Sequence, residues 1–379
     1  MKYFLLNFTI RLTCLFPIIT FCIDNGLNRF LFAAIFFLVL VIFLVSVHFR
    51  YCFCGIIALI GILYSYIYTE NFTQYYENIG LMFYYPFFLL YTSALILNRN
   101  ILYKVILNGQ RFFFFIVYLF LFLVILSSFF SSSYFYKEAG TLFFGGFVGD
   151  TFRAAPASLF IHSLVVILGT LKKKRFILYH IVLFIVYLFG SSRTYLFLGV
   201  ILLMIHFLIF YSYKKFLFFG GIGFFCVLSF IFCFEIQLPI INKILYTFEY
   251  DDKHSFLFYL SSSRTTIWST ILSCWWELTS SMDKFLGCGI FFSLNSYYGL
   301  WSHNDFIEIL VSFGVTGLLF YLCLNFILLS QVPNIVIKFL LFLLWFFNAM
   351  FNMYYTYMCC LLSFPIIVIF FTKYNHRGL

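Results

Sequence analysis

The chain has 379 residues, of which 64% are hydrophobic and only 9% are charged. A soluble protein carries roughly 25% charged residues, so 23 Lys and Arg with 13 Asp and Glu are too few to cover a water-facing surface. The composition excludes the soluble-enzyme, disordered and fibrous classes, and it predicts a protein that crosses a membrane several times.

Apolar stretches long enough to cross a bilayer recur along the whole chain. A spanning helix needs about 20 mostly apolar residues, so the sequence predicts an all-α, polytopic integral membrane protein with about 12 transmembrane helices. These helices form a single transmembrane domain, 1–379. The predicted helices lie near 7–23, 30–47, 52–68, 79–97, 112–130, 157–171, 176–190, 194–212, 216–235, 304–330, 338–355 and 357–372.

Charged residues are distributed unequally between the two faces of this layout. With the N-terminus inside, most of the 23 basic residues fall on the inner face. All 13 acidic residues fall outside or in the outer half of a helix. Cytoplasmic loops carry an excess of Lys and Arg, so both termini are predicted to be cytoplasmic. The net charge of +10 is then a consequence of topology and does not indicate nucleic-acid binding.

Two outer loops are long, and each contains a candidate binding residue. The first loop, 131–156, contains Arg153, for which the neighbouring Asp150 is an alternative partner. The second and main loop, 236–303, precedes the tenth predicted helix. It contains the acidic run Glu249-Tyr-Asp251-Asp252 and Arg264, so it is the more informative of the two loops.

The seven histidines do not predict a metal site. His162 lies in an apolar helix and has no evident partner in the sequence. No group of histidines has the spacing of metal ligands, and no P-loop or dinucleotide fingerprint is present. We therefore expect neither a metal nor another cofactor. The histidines that fall on or near the inner face, or within apolar helix, are His48, His180, His206 and His376.

Two arginines begin helices at the outer face within the same local sequence. Ser-Ser-Arg-Thr occurs at Arg193 and again at Arg264, where the following apolar pattern predicts an interfacial helix near 264–278. A cation in the first turn opposes the helix dipole, but it favours a bound anion. Two guanidinium groups of this kind could hold a diphosphate. The alternative for each arginine is snorkelling to the lipid headgroups.

The segment around His303 is the sharpest candidate for chemistry. Ser302 and Asp305 resemble a capping box, which places His303 at the first helical position and leaves Asp305 as a capping residue. A helix N-terminus disfavours imidazolium, so we expect His303 to stay neutral and able to accept a proton. Asn304 and Glu308 share a helix face and are expected to support His303. The alternative is an interfacial histidine that only caps the helix.

Together these segments resemble a known family over roughly 176–330. They are similar in order, spacing and sidedness to the signature of the O-antigen polymerase and O-antigen ligase superfamily, which comprises the Wzy-type polymerases and their ligase relatives. The N-terminal half is similar only in being hydrophobic helices. Thr194 departs from the pattern, since many members have a smaller residue after the arginine. The residues that carry the resemblance are Ser192-Arg193-Thr194, Arg264-Thr-Thr-Ile-Trp268, Gly287-Cys-Gly289, His303-Asn304 and Gly314-Val-Thr-Gly317.

The resemblance implies a metal-independent glycosyltransferase at the periplasmic face of the bacterial inner membrane. It implies a donor glycan carried on undecaprenyl diphosphate, bound by Arg193 and Arg264, with Arg153 a looser match. It implies that His303 activates the acceptor hydroxyl. The implied partners are undecaprenyl-diphosphate-linked repeat units, the lipid bilayer and a chain-length regulator.

Three functions remain open at this point. An O-antigen polymerase, which joins repeat units in lipopolysaccharide biosynthesis, is favoured because the form of the second arginine motif and the high Phe content look more like polymerases. An O-antigen ligase, which transfers the glycan to lipid A–core, is the alternative. A flippase of lipid-linked sugars is the third, although transporters usually place polar residues near the midplane, whereas here they cluster at the outer interface.

Overall fold

Helices make up nearly all of the described chain, and a short β-hairpin is the exception. In this computed structural model the described residues are 1–23, 25–47, 62–63, 83–136, 142–148, 151–189, 193–210, 264–290, 292–293, 302–352 and 357–373. The helices within them are α1 (Lys2–Cys22), α2 (Asn25–Ser46), α3 (Tyr84–Leu97), α4 (Arg99–Asn108), α5 (Gln110–Ser127), α6 (Thr151–Lys172), α7 (Ile177–Phe189), α8 (Arg193–Phe210), α9 (Arg264–Leu278), α10 (Ser281–Leu286), α11 (Asp305–Ser330), α12 (Ile335–Asn352) and α13 (Met358–Lys373). The hairpin pairs β1 (Tyr134–Tyr136) with β2 (Leu142–Phe144), antiparallel, with Phe135 opposite Phe143.

Several of the described helices are able to cross a membrane. Five are long and apolar enough to do so by length and composition. In hydrocarbon the backbone must satisfy its own hydrogen bonds, which an α-helix does within one segment. The five are Lys2–Cys22, Leu27–Ser46, Gln110–Ser127, Arg153–Lys172 and Asp305–Ser330.

Parts of the predicted layout lie outside the described residues. They are the predicted helix at 216–235 and most of the one at 52–68, together with 137–141 and 149–150 of the first outer loop and 236–263, 291 and 294–301 of the main outer loop. The total number of spans therefore remains a prediction.

Helix α6 lies at the centre of the bundle. It packs against α1, α5, α7, α8 and α13, and nearly all of its residues from Ala154 onward are buried. Helix α13 beside it is buried along most of its length as well. A helix that is apolar on all sides and enclosed by others can sit in a core without contacting lipid.

The structure corrects two local predictions. Helix α6 begins at Thr151, so Arg153 lies in its first turn and not in a loop that extends to 156. Hydropathy missed this turn because polar residues precede the apolar run. The segment Arg99–Asn108, predicted as a connection, forms the amphipathic helix α4, which buries Leu102, Val105 and Ile106.

Helix α11 is interrupted at Gly314, whose φ of 69° and ψ of −174° are not helical. In an unbroken helix the carbonyl groups of Val311 and Ser312 would accept hydrogen bonds from N–H groups four residues later. Here the N–H of Cys288 donates to the Val311 oxygen at 2.9 Å, and that of Gly289 to the Ser312 oxygen at 3.3 Å. A neighbouring segment thus satisfies the carbonyl groups at the break.

The crossing of the two segments requires glycine on both sides. A Cβ atom at Gly287, where φ is 114°, would lie 2.2 Å from the carbonyl oxygen of Ser312. A Cβ atom at Gly314 would lie 2.4 Å from the carbonyl oxygen of Phe285. Thr316 Oγ1 donates to that same Phe285 oxygen at 3.0 Å. The close approach of two backbones explains why glycines occur at these positions.

Substitution of Gly314 by alanine should therefore destabilise the protein. The new methyl group meets backbone, and φ is positive, so a cost of about 1–3 kcal/mol or more is expected. Val315→Ala is the matched control, because Val315 is the next residue and is 37% exposed. Thermal unfolding of the purified full-length variants measures both effects. Equal loss of stability in the two variants would contradict this account of the crossing.

Candidate functional site

Helix α11 begins at the candidate site and is capped by Asn304. Asn304 Oδ1 accepts hydrogen bonds from the N–H groups of Phe306 at 2.9 Å and Ile307 at 3.2 Å. The predicted capping box of Ser302 and Asp305 is wrong. Asparagine is as good an N-cap as serine, and here it occupies the position next to the helix.

Asp305 has a different role from the one predicted. It is fully buried, and its Oδ2 accepts a hydrogen bond from the Tyr321 hydroxyl at 2.7 Å. The indole N–H of Trp345 donates in turn to the Tyr321 oxygen at 3.0 Å. Asp305 therefore joins α11 to α12 instead of capping the helix.

His303 lies in the turn before the cap, not in the first position of the helix. Its φ of 51° is left-handed, which is uncommon for a residue other than glycine. The turn is closed by the N–H of Asn304, which donates to Ser302 Oγ at 3.3 Å. A residue held in this conformation needs support from its surroundings, and such residues cluster at functional sites.

Glu308 provides part of that support from inside α11. Its side chain is fully buried, one turn into the helix. Ser293 Oγ donates to Oε1 at 2.9 Å and Ser312 Oγ lies 3.3 Å from the same oxygen, while Ser302 Oγ lies 3.0 Å from Oε2. Glu308 thus reaches His303 through Ser302, the residue before it, and acts on the histidine by positioning the turn.

Helix α9 coincides with the range predicted for an interfacial helix and packs on the first turns of α11. Ile271 and Trp275 form a small buried cluster with Ile307 and Val311. The indole N–H of Trp268 donates to the carbonyl oxygen of Ser302 at 2.6 Å. This bond ties α9 directly to the turn that carries His303.

Arg264, the first residue of α9, is partly buried and faces the same turn. Its guanidinium donates to the carbonyl oxygen of Phe351, near the C-terminal end of α12. A cation at a helix C-terminus is favourable because the carbonyl end of the helix is partially negative. The N-terminus of α9, the end of α12 and the start of α11 therefore meet at one place.

The charge of Arg264 acts on His303. Burial is the larger cause and the positive charge of Arg264 the second, and together they lower the pKa of His303 to about 4. A buried imidazolium loses hydration, and a nearby cation repels it. His303 is therefore neutral at neutral pH, as predicted, but the causes differ from the predicted helix dipole.

The structure describes less of the surroundings of Arg193 and Arg153, the other two arginines predicted to bind the diphosphate. Only the backbone is described for Arg193, which is the first residue of α8. Arg153 is partly buried in the first turn of α6, and Asp150, its suggested partner, lies outside the described residues. The structure brings Arg264 and His303 together; the positions of Arg153 and Arg193 relative to this pair stay predictions.

Sequence reasoning missed several residues of the site. Ser293 and Ser312 gave no signal, because a serine that binds a buried carboxylate has the same local pattern as one that packs in a helix. The carbonyl of Phe351 is a backbone group and has no sequence signal at all. Trp268 lies within the predicted interfacial helix 264–278, and its bond to the carbonyl oxygen of Ser302 adds a specific role.

Comparison with known proteins adds no assignment. A scan against protein-family models matches none, and no curated protein matches the sequence.

Removal of the Arg264 charge should raise the pKa of His303. In Arg264→Gln the second cause is lost while burial remains, so the pKa rises above about 4 but stays below its ordinary value. Nitrogen-15 NMR of histidine-labelled full-length protein, with His303 assigned by substitution, measures the titration. Lys284→Gln is the control, because it removes a cation that is not among the causes of the shift. An unchanged titration in Arg264→Gln would remove the link between the two residues.

Removal of the Glu308 carboxyl group should loosen the turn at His303. Glu308→Ala removes the acceptor of the buried Ser293 hydroxyl, at a cost of about 1–3 kcal/mol, whereas Ser302 and Ser312 keep the carbonyl oxygens of Asn304 and Ile290 as acceptors. Glu308→Gln keeps the shape and one acceptor oxygen, so it should cost less and leave the His303 resonances closer to those of the unchanged protein. Thermal unfolding and the His303 spectrum measure the two effects. A Glu308→Ala protein with unaltered stability and spectrum would show that this network does not hold the turn.

Proposed function

We propose that this protein is a membrane glycosyltransferase of the O-antigen polymerase type, which acts on polyprenyl-diphosphate-linked repeat units at the periplasmic face of the inner membrane. The observation that carries the proposal is that the guanidinium of Arg264 lies near a neutral His303 at the start of α11. The buried Glu308 holds the turn that carries His303 through its contact with Ser302. Transfer of a glycan from a diphosphate to a sugar hydroxyl needs a cation for the diphosphate and a base for the hydroxyl, close to each other.

The proposed chemistry begins with the donor. A polyprenyl diphosphate is a good leaving group if a cation stabilises the negative charge that develops on it. A guanidinium has five N–H donors, so it can bind a carbonyl and an anion together. Arg264 would hold the diphosphate, and Arg193 and Arg153 are proposed to complete the anion site.

His303 would act on the acceptor. A neutral imidazole within reach of a sugar hydroxyl accepts its proton as the oxygen attacks the anomeric carbon. The bond from this carbon to the diphosphate breaks, and the diphosphate leaves with the electron pair. No metal or nucleotide is required by these steps.

The two residues would also be coupled through charge. In the free protein, Arg264 helps to keep the pKa of His303 low. A bound diphosphate would offset the guanidinium charge, and the pKa of His303 would rise towards the range in which imidazole is an effective base. The base would thus become stronger when the donor is in place.

A transporter is the alternative from a different class, because broken helices are common in transporters. Helix α11 is broken at Gly314, but the carbonyl groups at the break are bonded to Cys288 and Gly289 of the same chain. A break that is filled by backbone offers no binding site for a substrate. This observation favours the glycosyltransferase over the flippase.

Deletion of the gene in its own host separates the proposed polymerase from the ligase. The banding pattern of lipopolysaccharide on a gel is the measurement. Core with a single repeat unit means loss of polymerisation, whereas core without repeat units, beside lipid-linked polymer, means loss of ligation. Unchanged banding would reject both functions and favour a transporter or another glycan.

Variants introduced into the deletion strain test the residues. His303→Ala should not restore the long-chain ladder, because it lacks the base. Arg264→Lys should lose most activity, since an ammonium group cannot reproduce the bidentate fork. Lys284→Gln is the matched control in the same region and should restore the ladder. Each variant must be present in the membrane at the level of the unchanged protein, and a normal ladder from His303→Ala would refute the assignment of the base.

A further inference from the structure

Three histidines from three successive helices meet inside the bundle, away from the site at α11. They are His162 on α6, His180 on α7 and His206 on α8, each at most 3% exposed. His162 Nε2 lies 2.7 Å from His180 Nδ1, and the rings of His180 and His206 have centroids 4.7 Å apart. The prediction that His162 has no partner is therefore wrong, and the contact with His180 holds the His206 ring beside the turn between α6 and α7.

His206 supports this turn from inside the bundle. Its Nε2 lies 3.2 Å from the backbone oxygen of Lys174 and donates to it, because a carbonyl oxygen can only accept. Gly169 of α6 leaves room for the contact, since a Cβ atom there would lie 2.0 Å from His206 Cε1. The path of an exposed turn is thus fixed by a buried side chain.

The turn begins with a Schellman motif at the end of α6. The N–H of Lys173 donates to the Thr170 oxygen at 3.4 Å, and that of Lys174 to the Gly169 oxygen at 3.0 Å. In this motif the residue after the cap is left-handed, and Lys173 has a φ of 52°. Glycine is the usual residue there, because a Cβ atom is strained in this conformation. A lysine is therefore unfavourable for the fold itself, and its presence needs another explanation.

A cation from a second helix lies beside the basic turn. The lysines at 172–174 are exposed, and so is Arg111 at the start of α5. The ring of Phe114 on α5 contacts that of Phe176 in the turn, with centroids 5.7 Å apart. Arg111 lies three residues before Phe114 and so on the same side of α5, one turn nearer its start. Arg111 and the lysines thus flank one place on the surface.

The neighbouring helices offer no carboxylate to these cations. None of α1, α4, α5, α6, α7, α8 and α13 contains Asp or Glu. The acidic residues in the described part of the chain all lie in α9, α10 or the start of α11, and they are Glu277, Asp283, Asp305 and Glu308. Basic groups between transmembrane helices are a typical binding site for anionic lipid headgroups.

The surface next to these cations is apolar. Leu178 and Ile181 of α7 and Tyr118 and Phe122 of α5 are each at least 50% exposed. The rings of Tyr118 and Tyr179 meet edge to face with centroids 5.7 Å apart, so the two helices lie side by side here. A ligand with both an anionic group and hydrocarbon chains can contact the cations and the apolar faces together, whereas a soluble anion can use the cations only.

We propose that Arg111 and the lysines at 172–174 bind the headgroup of an anionic phospholipid, whose acyl chains lie along the exposed apolar faces of α5 and α7. The general excess of cations at one face of a membrane protein requires only that they reach the headgroups. It does not require a lysine at a left-handed position that suits glycine, or a buried histidine that fixes the turn. A turn fixed in this way presents its cations in one arrangement, so less entropy is lost when the phosphate binds.

Thermal stabilisation of the purified full-length protein by phosphatidylglycerol tests the site. The protein in detergent is titrated with phosphatidylglycerol or with zwitterionic phosphatidylcholine, and the melting temperature is recorded at each concentration. We expect stabilisation by phosphatidylglycerol and not by phosphatidylcholine. The concentration for half-maximal stabilisation should rise about fivefold in Lys173→Gly and about 25-fold in Arg111→Gln/Lys173→Gly, as expected for the loss of one and of two basic residues beside an anionic headgroup.

Folding is checked in the same experiment. Without lipid, Lys173→Gly should melt no lower than the unchanged protein, because glycine suits the left-handed position. If it melts lower, Arg111→Gln alone replaces it, with the same fivefold expectation. The control is Arg99→Gln/Lys338→Gln, which removes two cations elsewhere on the predicted inner face, where Arg99 donates to Gln331 at the end of α11. It should respond to phosphatidylglycerol as the unchanged protein does.

Three outcomes would overturn the lipid site. They are equal weakening in the control and in the site variants, equal stabilisation by the two lipids, and stabilisation by inorganic phosphate that matches that by phosphatidylglycerol. The last would mean that the cations bind a soluble anion. The assay contains no glycan, so its failure leaves the glycosyltransferase proposal untouched, and failure of that proposal leaves the lipid site.

Discussion

The approach of two backbones at Gly287 and Gly314 is the constraint on which the arrangement of the candidate site depends. It fixes the segment after α10 against the break in α11 through hydrogen bonds to the carbonyl groups of Val311 and Ser312. The same segment continues to Ser293, whose hydroxyl donates to Glu308, one turn before Ser312 on the N-terminal side of the break. Since α10 follows α9 closely, the crossing also places α9 beside the start of α11.

Hydrogen bonds then fix the backbone conformation of one residue, His303, within this packing. Trp268 holds the carbonyl of Ser302, and Glu308 lies within hydrogen-bond distance of its hydroxyl, so the residue before His303 is held from two sides. Asn304 caps the helix on the other side of the histidine. The left-handed backbone at His303 is thus stabilised by groups from three segments, and its imidazole is kept partly buried next to Arg264. A side chain that is held in this way loses little entropy when a substrate binds.

Local features of the site could be predicted from the sequence, and long-range ones could not. The helix from Arg264 was predictable because the sequence has three serines, a residue type that favours helix caps, before it and apolar residues at helical spacing after it. The cap of α11 was not, since serine, asparagine and aspartate at 302, 304 and 305 are all good capping residues, and tertiary contacts decide among them. Asp305 is turned away from the helix end by Tyr321, 16 residues further on. The contact of Arg264 with the Phe351 carbonyl depends on how α9 meets α12, which no local pattern records.

The histidines of this bundle lie in two different kinds of surroundings. His303 lies just before a helix start, beside the cation Arg264 and next to a network of hydroxyl groups, and the charge of Arg264 lowers its pKa. His162, His180 and His206 lie among helices that have no acidic residue, and their bonds are to one another, to Tyr187 and to a backbone carbonyl. A bundle whose core is almost entirely hydrocarbon gains little stability from three imidazoles, because His180 Nε2 and His206 Nδ1 are buried without a hydrogen-bond partner among the described residues.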